Sequence, residues 1–354
     1  MTLGGRRVPV KRQRMRSPDG GQELPLRSYE HFASRDPLTD LVLERIVAGV
    51  SCRSYERTNE PVGCEVEAES KSTSKSAVSR AFVERTRTAL GELMSRRLDD
   101  VRLAALMIDG IDLEERTHVV ALGTTTEGVK VPLGLWEGST EDATVARALL
   151  CDLVDRGLDP EQGILFVIDG AQALRKAIRE VFGERAPVQR CQRHQERNVI
   201  DHLHEQEQQI VRGRMRAAWA LDDHERAIER LRILARELDR SCPGAAASLR
   251  EGLEETVTVQ RLGASERLRR TLSSTNPAES MIEIVRRIQR NVKRWQGGDM
   301  RLRWTAAGML EAERQFRRII GYRDLARLAV AVEREVATAP TQLTRREVTE
   351  TVRV

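Results

Sequence analysis

Two short stretches constrain this chain more than anything else in it: "LAALMIDG" at residues 103–110 and "GILFVIDG" at residues 163–170. Each drives a run of apolar residues into an aspartate and then a glycine. A short apolar run closed by a turn pair reads as a strand covered on both faces, which points to a layered α/β core. A carboxylate at the end of such a strand is half removed from water, and that is costly without a partner. Asp-Gly is also an ordinary turn pair after a strand. Its repetition behind two buried strands of one chain asks for a common purpose.

The order of elements says where the two acids should lie. "LAALMID", "THVVALG" and "VKVPLGLW" are three strands separated by turns, an antiparallel meander. A helix follows, with Ser139 and Asp142 as a capping box and "ATVARALLCDLVDRG" as its body. Next come "ILFVID", a helix over residues 171–181, a short strand "PVQRC" and a long helix from about His194. The β-β-β-α-β-α-β order predicts a ribonuclease H-like mixed sheet with its first and fourth strands adjacent and parallel. Asp109 and Asp169 would then share one end of the sheet, where α/β folds place ligands. Residues 205–270 lose all strand signal and, broken by "CPGAA", read as an all-α insertion. The expected division is a mainly helical region over 1–100, a sheet-based core over 101–204 and 271–335 around that insertion, and a polar tail over 336–354.

Composition narrows the partners. With 354 residues, 40% hydrophobic and 32% charged, the chain is a globular protein. It has no apolar run of the roughly 18 residues needed to span a bilayer and no secretory leader, so no membrane partner is expected and a cytoplasmic, nucleoid-associated location is. Five scattered cysteines argue for reduced thiols. The net charge of +5 and pI of about 9.1 are unevenly spread. Residues 1–16 hold Arg12 and Arg14 among six cations with no acid, and a second cluster from Arg286 to Arg303 includes Arg290 and Lys293. Such patches suit phosphate backbones, and 3% aromatic content provisions base stacking poorly, so duplex DNA is the expected partner. Short β pieces flank "SPDGG" within residues 1–30, and "DPLTDLVLERIVAG" is a helix closing at Gly49. An amphipathic helix from about Ser76 to Leu98 resembles the second helix of a helix-turn-helix, with Lys75, Ser76, Ser79 and Arg80 toward a groove. A packing helix with one polar face would show the same pattern.

Two neighbouring carboxylates repel, and a hard divalent cation resolves the repulsion. Mg2+ or Mn2+, as two ions roughly 4 Å apart, would serve phosphodiester chemistry. A third acid is found in "SSTNPAESMIEIVRR", where Asn276 suits an N-cap, Pro277 the first helical position and Glu279 the third position of a capping box. Glu279 therefore reads as a cap, a ligand or both, with Arg286 two turns on along the same face. Trp219, Trp295 and Trp304 read as packing residues, and Asp112, Glu114 and Glu115 as less suitable first acids than Asp109.

Several blocks, "FVIDGAQALRKAIREVFG", "VQRCQRHQERNVIDHL", "SSTNPAESMIEIVRR" and "NVKRWQGGDM", resemble in order those of the mutator-type bacterial insertion-sequence transposases, which are Asp-Asp-Glu recombinases. The likeness runs from about residue 3 to about residue 330. It implies that Asp109, Asp169 and Glu279 are the metal-binding catalytic triad, the longer gap holding the helical insertion. It further implies strand cleavage and transfer at terminal inverted repeats and target DNA, a copied circular intermediate, and a homodimer or larger assembly. The family's Cys-x-x-His element is matched by Cys191 and His194; a histidine hydrogen-bonded beside the site is the expected role, with zinc, joined by His202 or His204, the alternative. Members have a somewhat longer N-terminal portion. A catalytically inactive DNA-binding regulator and a ribonuclease H-like junction nuclease are the rival functions.

Overall fold

The computed structural model describes residues 2–3, 6–11, 13–19, 21–34, 37–59, 63–72, 74–113, 116–290, 292 and 294–337. The chain forms two compact units, one from the residues up to Glu92 together with Ile284–Glu311, the other from Leu93–Glu283 together with the segment from Ala312. No helix among the described residues is long and apolar enough to cross a membrane.

The first unit opens with two-residue strands. β1 (Thr2–Leu3) pairs with β2 (Arg6–Arg7), and β3 (Met15–Arg16) pairs with β4 (Glu23–Leu24) across the "SPDGG" turn, all antiparallel. Helix α1 (Arg27–Ser34) begins inside residues 1–30, where only short β pieces were expected. The stretch after Pro25 holds no breaker, and Leu26 O accepts the Glu30 N–H to start the turn. α2 (Pro37–Val47) and the short α3 (Cys64–Glu69) follow, and β5 (Lys71–Ser72) joins β2. The long helix α4 (Lys75–Ser95) starts where Ser74 Oγ accepts the Ala77 N–H. Its Val78 and Phe82 pack with Val42, Ile46, Tyr55, Ile288 and Trp304 in the core of this unit.

The second unit is built on a five-stranded mixed sheet. Three strands, β6 (Leu103–Leu113), β7 (Arg116–Thr125) and β8 (Lys130–Glu137), form the antiparallel meander expected from the sequence. α5 (Ala143–Asp155) leads into β9 (Leu165–Ile168), which runs parallel to β6, and α6 (Gln172–Phe182) leads into β10 (Val188–Arg190), parallel to β9. The order across the sheet is β10-β9-β6-β7-β8, with β6 at the centre. Leu106, Ile108, Phe166 and Ile168 meet Leu149, Leu150 and Leu153 of α5 and Leu174 and Ile178 of α6 in one apolar cluster. The N-cap of α5 is Asp142 alone, which accepts from the Thr144 and Val145 N–H groups; Ser139 belongs to the preceding turn, so no capping box forms.

The helix expected from about His194 is two helices. α7 (Gln192–Ile200) ends, Leu203 turns inward to the helical core, and α8 (Glu205–Trp219) restarts. α9 (His224–Ser241) and α10 (Pro243–Arg250) complete a helical block whose apolar core includes Met215, Trp219, Leu231 and Leu249. The short α11 (Thr258–Arg261) and α12 (Glu266–Leu272) lead to α13 (Asn276–Gln289), α14 (Gly298–Gln315) and α15 (Leu325–Ala337). The backbone of Glu333 in α15 lies so close to Gly163 that a Cβ there would come within 2.8 Å of it. Tail residues 338–354 fall outside the described residues.

Candidate active site

Strand register brings the two aspartates together. β6 and β9 pair Ala105 with Leu165 through Ile108 with Ile168, so the next residues in each strand direction are Asp109 and Asp169. Asp109 stays in the ladder opposite Val120 of β7 and is only 7% exposed. Its Oδ1 accepts the Gly110 N–H at 2.8 Å. Asp169 turns out of the sheet, with Oδ1 accepting the Ala171 N–H at 2.9 Å and Oδ2 accepting the Thr140 hydroxyl at 3.2 Å. Gly170 is required here on two counts. Its φ of +109° suits glycine, and a Cβ would fall 2.5 Å from Nε of Arg190, a buried residue of the neighbouring strand.

Cys191 follows β10 directly, and its N–H bonds to Ile168 O at 2.7 Å, next to Asp169. It caps α7, which carries His194 one turn on. The third acid arrives on α13, whose start differs from expectation. The Glu279 N–H bonds to Thr275 O, so Thr275 is the N-cap, Asn276 the first helical residue and Glu279 the fourth. Asn276 instead accepts from Arg193 at 2.6 Å. No capping box forms, because the third helical residue is then Ala278, which has no side-chain acceptor; the Thr275 N–H points instead to the Cys191 sulfur at 3.5 Å. The Glu279 carboxylate accepts the Thr275 hydroxyl at 3.2 Å and is left to face Cys191 and His194. Donor atoms of Cys191, His194 and Glu279 lie within 4.8 Å of one another, the one such group among the described residues. His202 and His204 are exposed and do not join it.

The electrostatics mark this as one site. Burial pushes the Asp109 carboxyl up to about 6; the Asp169 and Glu279 charges add to that, while His194 and the Gly110 N–H oppose it. Hydrogen bonding to Cys191 raises His194 to about 9 against its burial, helped by the charges of Cys191, Asp109 and Asp169. Burial works against the Cys191 thiolate, yet His194 and the Thr275 N–H outweigh it and hold the thiol below its ordinary value. His194 Nδ1 is buried with no hydrogen-bond partner. Three carboxylates and a thiol thus converge on a single imidazole, and a bound cation would answer the excess charge. The oxygen donors of Asp109, Asp169 and Glu279 suit a hard divalent ion. Cys191 and His194 with Glu279 are a softer set that lacks a fourth protein donor for a closed zinc site.

The remaining sequence candidates lie elsewhere. Lys75, Ser76, Ser79 and Arg80 are exposed on the first turns of α4, opposite Val78 and Phe82. Arg14 is exposed beside Glu23, and Arg286 and Arg290 are exposed at and after α13. Arg12, Lys293, Glu114 and Glu115 fall outside the described residues. Asp112 accepts the Thr117 hydroxyl. Trp219 is core, donating to Thr256 Oγ1 at 3.1 Å, and Trp304 packs on Phe82. Sequence reasoning missed Thr140, Thr275 and Arg190, which carry no local signature. It also missed a glutamine row. Gln189 and Gln192 donate to Thr256 O at 2.9 and 2.7 Å, and Gln195 donates to Ser248 O at 2.6 Å, clamping β10 and α7 to the helical block. The every-third spacing in "QRCQRHQ" was the available signal.

The sequence profile of the family "Transposase, Mutator family" matches residues 28–318. A probable transposase for an insertion sequence element of Corynebacterium diphtheriae is 27% identical over 217 residues, 58% of this chain and 62% of that protein. The transposase for insertion sequence element ISRM3 of Rhizobium meliloti is 26% identical over 56% of this chain and 49% of its own length. The transposase for IS406 of Burkholderia multivorans is 28% identical over 81% of this chain and 73% of its own. The chain thus spans about half to three-quarters of the length of these relatives. A profile match over most of the chain, including the acid-bearing strands and the helix that carries Glu279, establishes that this chain belongs to the mutator family of transposases.

Proposed function

We propose that the chain is an Asp-Asp-Glu transposase that cleaves DNA strands at the ends of an insertion sequence and transfers them to target DNA, with Asp109, Asp169 and Glu279 as catalytic, metal-binding residues. The observation that carries this reading is the register that makes Asp109 and Asp169 neighbours while α13 delivers Glu279 to the same charged cluster. The strand order supports a ribonuclease H-like core. A buried aspartate raised to about 6 among two further acids fits a divalent ion, Mg2+ or Mn2+, held as a pair by oxygen donors. Such ions, when bound, supply the positive charge that favours attack on a phosphodiester by water or a DNA 3′-hydroxyl.

The chain's own residues hold the acids in place. The Gly110 N–H orients Asp109, Thr140 and the Ala171 N–H orient Asp169, and Thr275 orients Glu279. The imidazolium of His194, paired with Cys191, offsets part of the acid charge. Residues 1–100, with the basic arm and the exposed start of α4, are assigned to end recognition; residues 205–270 are an insertion within the core. Handling two DNA ends suits a dimer or larger assembly, and work on the chromosome suits a nucleoid-associated protein.

The test is Mg2+-dependent cleavage of duplexes carrying the element's ends. Asp109→Asn, Asp169→Asn and Glu279→Gln should each lose cleavage while still binding DNA. Glu283→Gln, exposed one turn beyond Glu279, should stay active. Activity in an aspartate variant would sink the site. Binding without cleavage by the unaltered chain would mark an inactive regulator, and cutting of branched DNA without defined ends a junction nuclease.

A further inference from the structure

Beside the acids, α7, α8, α12 and the start of α13 enclose a cleft of about 540 Å³ whose lining is dominated by arginine: Arg193 and Arg197 on α7, Arg212 and Arg216 on α8, and Arg270 on α12. The sequence reading passed over it because these cations come from three separate helices, each of ordinary charge. Glu196 organises the wall. Its Oε1 accepts from Arg212 Nε at 3.2 Å and its Oε2 from Arg216 Nε at 2.7 Å, so two guanidinium groups are held in place by one carboxylate. With Asp201 the other acid of the lining, the cleft keeps a clear positive excess. Arg193 ties one end to the start of α13 through Asn276, three residues before Glu279. His194, at the acid cluster, is the next residue along α7.

We propose that this cleft is a second DNA-binding surface, which grips the phosphate backbone of duplex DNA next to the strand under reaction. The proposal rests on the DNA-processing reading above and adds where the helical block takes part in it. Spacing agrees: Arg193 and Arg197 are one turn apart, about 6 Å along the helix axis, close to the roughly 7 Å that two steps of one DNA strand advance. The lining also argues against base stacking. Its aromatic residue, Trp219, is 8% exposed and committed to Thr256, so the surface reads backbone charge. Arginine forks suit phosphate oxygens better than a point charge does.

The experiment is a salt titration of full-length chain with duplex DNA of arbitrary sequence, in EDTA so that no cleavage is needed. Arg197→Glu with Arg270→Glu should lower affinity at moderate salt by roughly tenfold or more and flatten the log–log salt slope by about 2, since each lost phosphate contact removes about 0.9. Arg197→Lys with Arg270→Lys should keep most of the binding and of the slope. Arg230→Glu with Arg240→Glu changes net charge equally on α9, outside the cleft, and should do little. Equal losses in the two reversal pairs, no loss in either, or a loss confined to single-stranded DNA would overturn the proposal. A parent chain that ignores duplex DNA altogether would remove the functional reading with it, whereas normal binding by the cleft variants removes the cleft alone.

Discussion

Gly170→Ala tests how tightly the turn after the second aspartate is built. The residue sits at φ +109°, beyond the left-handed region that non-glycine residues tolerate, and that strain is worth about 1–3 kcal/mol. The new methyl would also fall 2.5 Å from Arg190 Nε and 2.8 Å from its Cζ. Arg190 is 2% exposed and donates to Glu251 O at 2.6 Å, so the guanidinium can yield only by giving up a buried charged hydrogen bond, about 1–3 kcal/mol more. The sum is about 2–6 kcal/mol. Gly183→Ala separates the two contributions, because Gly183 has φ +90° but nothing within 4 Å of its Cβ position; it should cost only the backbone part. Urea unfolding of both variants reads the difference as a shift in midpoint at unchanged slope. Equal losses in the two variants would refute the argument that Arg190 is packed against the turn. A loss below about 0.5 kcal/mol in both would refute the strain as well.

Two further outcomes follow from the same core. In metal-free protein Asp109 binds its proton more tightly when folded, with a pKa of about 6 against 3.8 unfolded, so its contribution to stability falls as pH rises from about 4 to 6, by about 2–3 kcal/mol in all. Asp109→Asn should remove that slope and be the more stable chain above pH 6 in EDTA; an unchanged pH profile would show that the carboxyl is not held in its acid form by burial. Arg156→Met should cost about 3–5 kcal/mol, because it strands the Asp152 carboxylate and the carbonyls of Leu133 and Leu93 that the buried guanidinium now satisfies. A melting temperature within a degree of the parent would contradict that accounting.

The sheet was legible because its signals are local and strong. Four-residue "LFVI" is buried at every position, and the meander strands end where turn residues begin. The adjacency of Asp109 and Asp169 followed from element order alone. Glu279 read from the sequence as a cap, a ligand or both, and the cap was misread by one residue: Asn276 outranks Thr275 as an N-cap by local preference, whereas Thr275 takes the position with its N–H toward the sulfur of Cys191, 84 residues away in sequence. Thr140 and Arg190 were invisible for the same reason. Their roles arise from contacts that no spacing rule encodes, and the break between α7 and α8 depends on where Leu203 finds its core.

The glutamine clamp limits where this protein can change length. Gln189, Gln192 and Gln195 grip the helical block at Ser248 and Thr256, and the hairpin between α8 and α9 is fastened to the same place: Trp219 donates to Thr256 Oγ1, Gln260 donates to Trp219 O and Arg269 donates to Leu221 O. Adding or trimming residues in that hairpin would pull on Thr256, the acceptor through which Gln189 and Gln192 hold β10 and α7 beside Cys191. The block is therefore locked to the strand and helix that flank Cys191 rather than hung from them by one end. The long sequence gap between Asp169 and Glu279 is bridged by a block fastened at its hairpin as well as at its root, which leaves little slack between the two residues.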